Sequence, residues 1–253
     1  ADFASQCKAQ GTTLVEALEK LYCTYGYFAN TQVAMIMEGA IGLARIRDLI
    51  ANLRKQPPST IAGRKVEAFF DHWDETGIFG PIRSETDRSA RNVLVFHLED
   101  DVRIIMRPSG TEPKAKIYVE IPTSAGLSEQ ELHNVIAQTN QQARTLGSAF
   151  AQQALAQIDI ELPTYAFFVS DLVSIDNKVR FVQEVLPQWV EHTQKIHNTD
   201  DAVEQSATFL TQALAPIHKS PRVLFLSAIE VFLETQINLE ALQTLRQAAQ
   251  QLP

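Results

Sequence analysis

Four short runs rich in β-branched residues, Val66–Phe70, Val93–Leu98, Val102–Met106 and Ala115–Ile121, follow one another within a single stretch of a 253-residue chain. Each is bounded by turn residues, the mark of strands, so a small sheet is predicted there. "VLVFHLEDDVRIIM" reads as a hairpin turning at Glu99-Asp100-Asp101. The first two runs are separated by a polar loop, "DHWDETGIFGPIRSETDRSAR", which carries Gly77, Gly80 and Pro81 and is long enough to be mobile or functional.

Helical rhythm governs both flanks. Leu14, Val15, Leu18 and Leu21 predict a first helix ahead of Tyr22, Tyr25, Tyr27 and Phe28, with a short strand after Gly26. Ile41, Leu43, Ile46, Leu49, Ile50 and Leu53 predict a second helix, ended by Pro57-Pro58, and "KQPPSTIAG" reads as a connector. Ser128 to Glu131 has the S-x-x-E form of a capping box and opens a long amphipathic helix reaching toward Ile158, about 45 Å at 1.5 Å per residue. After Pro163 no strand pattern returns. Val203, Ala207, Leu210, Leu214 and Ile217 form one stripe, Ser220-Pro221 signals another helix start, and Asn238 precedes a last one. Three parts are therefore expected: 1–55, an α+β unit over 56–160, and an all-helical part over 163–253.

Composition narrows the function. Two cysteines, Cys7 and Cys23, provide no disulfide framework and suggest a reducing, cytosolic compartment. No apolar run reaches the roughly 18 residues of a membrane span, so no membrane partner is expected. A formal charge of -8 argues against a non-specific nucleic-acid binder, whose affinity comes from neutralising phosphates. Against that background, Arg103, Arg107, Lys114 and Lys116 face Glu112 alone between positions 103 and 118. This local cationic excess marks an anion site.

The turn inside it has suitable chemistry. Arg107 ends a strand run, Pro108 directs the chain, and Ser109, Gly110 and Thr111 offer two hydroxyls and several amides to one oxyanion. Arginine adds a planar fork of donors matched to phosphate oxygens, and Gly110 lets the backbone come close. On spacing alone, a phosphate cradle and an ordinary hairpin turn stand about even.

The wider sequence shifts that balance. "RPSGTEPKAKIYVE" resembles the phosphate-binding signature of the last domain of the α-D-phosphohexomutases, the phosphoglucomutase and phosphomannomutase superfamily. "GTTLVEALEKLYCTYGYF", "EGAIGLARIRDLIANLRKQPPSTIAGRKV" and "RNVLVFHLEDDVRIIM" are similar, in the same order, to the end of the third and the start of the fourth domain of the large bacterial members. The resemblance covers about residues 1 to 122. It implies an α+β, TATA-binding-protein-like C-terminal domain, preceded by the tail of an α/β domain and followed by the helical extension. It also implies that Arg107, Ser109, Gly110 and Thr111 grip the phosphate of a hexose phosphate that is not being transferred, with Lys114 and Lys116 as accessory cations. Lysines on an exposed strand edge have a second explanation, since they also discourage edge pairing.

Phosphoryl transfer in that family needs a Thr-Ala-Ser-His-Asn-Pro type loop, a metal loop of Asp-Gly-Asp-x-Asp-Arg type and a Gly-Glu-x-Ser sugar loop. The closest stretches, Ser84–Arg88 and Met37–Ala40, lack the needed residues. No catalytic residue and no metal ligand is therefore expected in this chain. Magnesium, the serine and the missing N-terminal mutase domains are expected from outside it, with the apolar face of 1–30 reshaped or covered, and exposed helices offer a homo-oligomer contact. His192 and His197, five apart, do not share a helical face as i, i+4 ligands would. Trp73 and Trp189 are read as packing residues, with a lesser alternative for Trp73 as a lid over a ligand. The competing functional reading is a stand-alone, non-catalytic sugar-phosphate-binding or regulatory module with a helical interaction domain.

Overall fold

A computed structural model describes residues 2–196, 198–236 and 240–253, so His197 and Asn238 lie outside the described residues. The elements run α1 (Asp2–Ala9), α2 (Leu14–Tyr25), β1 (Phe28–Ile36), α3 (Gly39–Lys55), β2 (Thr60–Ile61), β3 (Arg64–Asp71), α4 (Glu85–Ala90), β4 (Leu94–Leu98), β5 (Arg103–Pro108) and β6 (Lys114–Pro122). Helices α5 (Glu129–Ala156), α6 (Ile175–Arg180), α7 (Leu186–Ile196), α8 (Ala202–Leu214), α9 (Pro221–Glu234) and α10 (Leu242–Gln250) complete the order. This is a mixed α/β chain, and all four predicted strands and the strand after Gly26 are present.

By mutual contacts the chain forms two compact units. One comprises Ala1–Val33, Asn52–Pro108 and Lys116–Ala151; the other comprises Ala34–Ala51, Ser109–Ala115 and Gln152–Pro253.

The first unit carries the sheet, with strand order β1-β6-β5-β4-β3-β2. Pairs β2/β3, β3/β4 and β4/β5 are antiparallel, with Leu94 opposite Met106 and a register shift between Val66 and Ala68. The β4–β5 connection is a tight turn through Glu99–Asp101, in which Asp100 (φ 62) and Asp101 (φ 56) take the left-handed conformation that short polar side chains tolerate. Alternate residues of β6, Ala115, Ile117, Val119 and Ile121, are buried, as are Ile104 and Met106 of β5. Helix α5 packs there, with Phe150 edge-on to Phe96 at 5.2 Å between ring centroids. Its start is the expected capping box: Glu131 N–H donates to Ser128 Oγ (3.3 Å) and Ser128 N–H to Glu131 Oε2 (3.3 Å).

Three elements had no periodic signal. Helix α4 sits inside the 71–91 loop, started by Ser84, whose Oγ accepts from Asp87 N–H (3.1 Å). It has six residues, too few for a stripe to declare itself. The two-residue strand β2 lies in the stretch read as a connector, and α1 precedes the first predicted helix. Helix α2 buries none of its residues, and Leu14, Val15, Leu18 and Leu21 are 52%, 64%, 45% and 47% exposed.

The second unit is organised around Phe181, Trp189, Leu210, Phe225, Ile229 and Leu245, all fully buried. A π-helical turn, Phe181–Val185, lets α6 run into α7 while both Phe181 and Val185 face the core. Buried polar atoms are paired: Trp189 Nε1–H donates to Ser206 Oγ (2.9 Å), which also meets Thr193 Oγ1 (2.7 Å). Trp189 is thus the packing residue that was expected. Helix α9 begins at Pro221, as the Ser220-Pro221 signal implies.

Candidate functional site

Strand β5 alternates Arg103, Ile105 and Arg107 outward with Ile104 and Met106 inward. Strand β6, its neighbour, sends Lys114, Lys116, Tyr118 and Glu120 outward. Arg103 donates to Glu120 and forms an ion pair with it, which puts the two outward rows on one face of the sheet. Arg107 and Lys116 share that face. Arg107 is exposed, and among the described residues its guanidinium has no ion-pair or hydrogen-bond partner, nor do the amines of Lys114 and Lys116.

The Arg103–Glu120 pair corrects the charge reading. Arg103 counted toward the cationic excess because the window closed at Tyr118; two residues further, Glu120 neutralises it. Between positions 103 and 118, the cations left without a partner among the described residues are Arg107, Lys114 and Lys116.

Between the strands the chain makes a compact turn. Ser109 N–H donates to the Lys114 carbonyl (2.7 Å) and Lys114 N–H to the Glu112 carbonyl (2.8 Å). Ser109 Oγ accepts from Glu112 N–H (3.2 Å) and, more weakly, from Thr111 N–H (3.5 Å). Two loop amides converge on one oxygen, and that oxygen is Ser109's own Oγ. Among the described residues no hydrogen bond uses the Gly110 amide or the Thr111 hydroxyl, and none has the Ser109 hydroxyl as donor. Those donors and the Arg107 fork are what the turn can offer an anion.

The loop around Trp73 is held differently. Trp73 Nε1–H donates to the Arg88 carbonyl (2.7 Å), and the Arg54 guanidinium lies 4.0 Å from the ring centre while donating to Asp71 (2.6 Å) and Asn92 (2.9 Å). Buried Arg91 ties the loop down through the carbonyls of His72 and Gly80, both at 2.8 Å. One face of Trp73 is thus covered by a guanidinium, which favours packing over a ligand platform. Burial holds the His72 imidazole below its usual range, with Arg91 adding to this and Asp71 opposing it.

Neither Arg91 nor Glu120 was picked out from the sequence as shaping these loops. For Glu120 a signal existed in the period-two row Lys116, Tyr118, Glu120; for Arg91 there was none. Among the described residues no group of three or more His, Cys, Asp or Glu is placed to hold a metal ion. No described helix is long and apolar enough to cross a membrane.

Arg107 on β5 and the turn leading into β6 lie within the part of the chain that is similar to known proteins. Residues 45–137 match the phosphoglucomutase/phosphomannomutase C-terminal domain. The mutase-type match contains Trp73, Arg107, the whole Ser109–Pro113 turn, Lys114 and Lys116, and it ends within α5. A probable phosphomannomutase of Haemophilus influenzae is 33% identical over 143 residues, 56% of this chain and 26% of that protein. A phosphoglucomutase of Staphylococcus aureus (strain bovine RF122 / ET3-1) is 35% identical over 121 residues, 47% of this chain and 22% of that protein. The chain spans about a quarter of the length of these relatives. A crystal structure of the Paramecium exocytosis-sensitive phosphoprotein pp63/parafusin aligns over 54% of this chain and 23% of its own, at 15% identity and a TM-score of 0.29.

Proposed function

We propose that this chain is the substrate-phosphate-binding, C-terminal portion of a mutase that interconverts hexose 1-phosphate and hexose 6-phosphate through a bisphosphate intermediate. Arg107, Ser109, Gly110 and Thr111 hold the phosphate that is not being transferred, and Lys114 and Lys116 raise the local concentration of the anion. The single observation that carries this reading is an exposed, unpaired Arg107 beside a turn whose Gly110 amide, Thr111 hydroxyl and Ser109 hydroxyl hydrogen have no partner among the described residues.

Gripping a remote, unreacting phosphate orients the sugar and retains the intermediate while its two ends exchange places. The nucleophilic serine and the magnesium loop belong to preceding mutase domains, so this chain alone is inactive. Among the described residues no cluster of His, Cys, Asp or Glu fits a magnesium site. On this reading the α+β unit is of TATA-binding-protein type, residues 1–55 are the tail of a third mutase domain, and the exposed apolar row on α2 meets the domains before it. The enzyme acts in the cytoplasm.

Titration of the chain with inorganic phosphate and with glucose 1-phosphate tests the site. Binding in the millimolar range is expected, and Arg107→Ala should weaken it by roughly 1.5 to 3 kcal/mol, the worth of a charge-assisted contact. Equal affinity of the two proteins overturns the assignment.

A further inference from the structure

The Ser109–Ala115 turn belongs, by its contacts, with Ala34–Ala51 and the helices from Gln152 onward. One backbone bond explains part of that grouping: the Met37 N–H donates to the Pro113 carbonyl at 2.9 Å. Pro113 closes the turn, so the position of Met37 sets where the turn ends. Met37 is itself fixed tightly. It is 1% exposed, the Gly42 N–H donates to the Glu38 carbonyl (2.9 Å), and a Cβ at Gly42 would stand 2.7 Å from both the carbonyl carbon and the Cβ of Met37.

Glu38, the next residue, is exposed, so apolar burial does not hold it. Three groups from the helical extension do. Glu38 Oε1 accepts from the Ser174 hydroxyl (2.7 Å) and from Asn177 Nδ2–H (2.8 Å), while the Glu38 N–H donates to Asp176 Oδ2 (3.1 Å). Asp176 Oδ1 also receives Arg45 at 3.3 Å. A second tie lies four residues earlier, where the Ala34 N–H donates to Asp171 Oδ2 (2.9 Å). Directional bonds to one exposed carboxylate and its own amide add little stability each, but together they allow a single register.

We propose that Glu38 is a positioning residue: gripped by Ser174, Asp176 and Asn177 of the helical extension, it holds Met37 against Pro113 and thereby sets the conformation of the anion-binding turn. The phosphate half of this statement rests on the proposed function, whereas the positioning half can be read without any ligand.

Amide spectra and hydrogen exchange of the full chain, followed by titration with inorganic phosphate, provide the test. In Glu38→Ala the Met37 amide should exchange about tenfold faster, equivalent to roughly 1.4 kcal/mol, and the amides of Gly110, Thr111 and Glu112 should shift. Phosphate affinity should fall several-fold. Glu38→Gln, which keeps the Oε1 acceptor, should return each readout most of the way to the wild-type value, and Asn177→Ala should give a smaller change than Glu38→Ala in the same direction. Wild-type loop amides and Met37 exchange in both Glu38→Ala and Asn177→Ala overturn the inference. So does a uniform acceleration that reaches α8 and α9 equally, because that reports general loosening. Should the wild type fail to bind phosphate while the loop amides respond as described, the proposed function falls and the positioning stands.

Discussion

Arg103 on β5 is ion-paired to Glu120 on β6 across the polar face of the sheet, four residues before Arg107 on the same strand. On the proposed function, in which an anion sits at the Ser109–Pro113 turn, the pair removes one cation from the field that attracts it. Glu120→Gln should free that charge and strengthen inorganic phosphate binding about twofold at low salt, a modest gain because both side chains are partly solvated. The gain should vanish at about 1 M salt, where screening acts over about 3 Å. Titrations at the two ionic strengths check this, and an unchanged or weaker affinity at low salt counts against the electrostatic role.

Gly26 ends α2 with φ at +89°, and a Cβ there would lie 2.4 Å from the Thr123 carbonyl oxygen. The Tyr27 N–H bonds to Thr123 Oγ1 (2.8 Å), so the backbone around that oxygen cannot simply withdraw. Gly26→Ala should lose at least about 2 kcal/mol of stability. Gly126→Ala, with φ at +81° but open space around the new methyl, should lose about 1 kcal/mol, the strain alone. Denaturant midpoints of the two variants make the comparison.

Ser206 bridges Trp189 Nε1–H and Thr193 Oγ1 inside the helical unit, and all three residues are fully buried. Ser206→Ala keeps the weaker Trp189 bond to the Ser206 carbonyl (3.2 Å) and the Thr193 bond to the Trp189 carbonyl (2.8 Å). The expected loss is therefore about 1 to 2 kcal/mol, below that for a group left wholly unpaired. Chemical denaturation followed by tryptophan fluorescence reads it directly.

Lys178 is 1% exposed, donates to the Val169 carbonyl (3.0 Å) and lies 3.9 Å from Asp171. Burial pushes its amine below the ordinary lysine value of 10.5, partly offset by Asp171, and burial raises the Asp171 carboxyl. Between the lowered value and 10.5 the unfolded chain binds more protons at position 178 than the folded chain. Stability contributed there must rise with pH across that window. The difference in unfolding free energy between wild type and Lys178→Met should therefore move in favour of the wild type from pH 8 to about 10. A difference that stays flat refutes the assignment of a depressed lysine.

Features set within a few residues of one another could be read from the chain itself. The β-branched runs became β3 to β6 because alternate side chains can be buried on one face only if the strand is extended, and the S-x-x-E at Ser128 became a helix start because its two bonds close within three residues. The cation-rich turn was legible for the same reason, since Arg107, Ser109, Gly110 and Thr111 are neighbours in sequence. What tertiary structure alone decided lies at long range. Arg103 is silenced by Glu120 on the next strand, Trp73 is capped by Arg54 from α3, and Glu38 is gripped by residues more than 130 positions away. Local propensity carries no information about such partners, because their bonds form only after chain segments far apart in sequence have been brought together by burying their apolar faces.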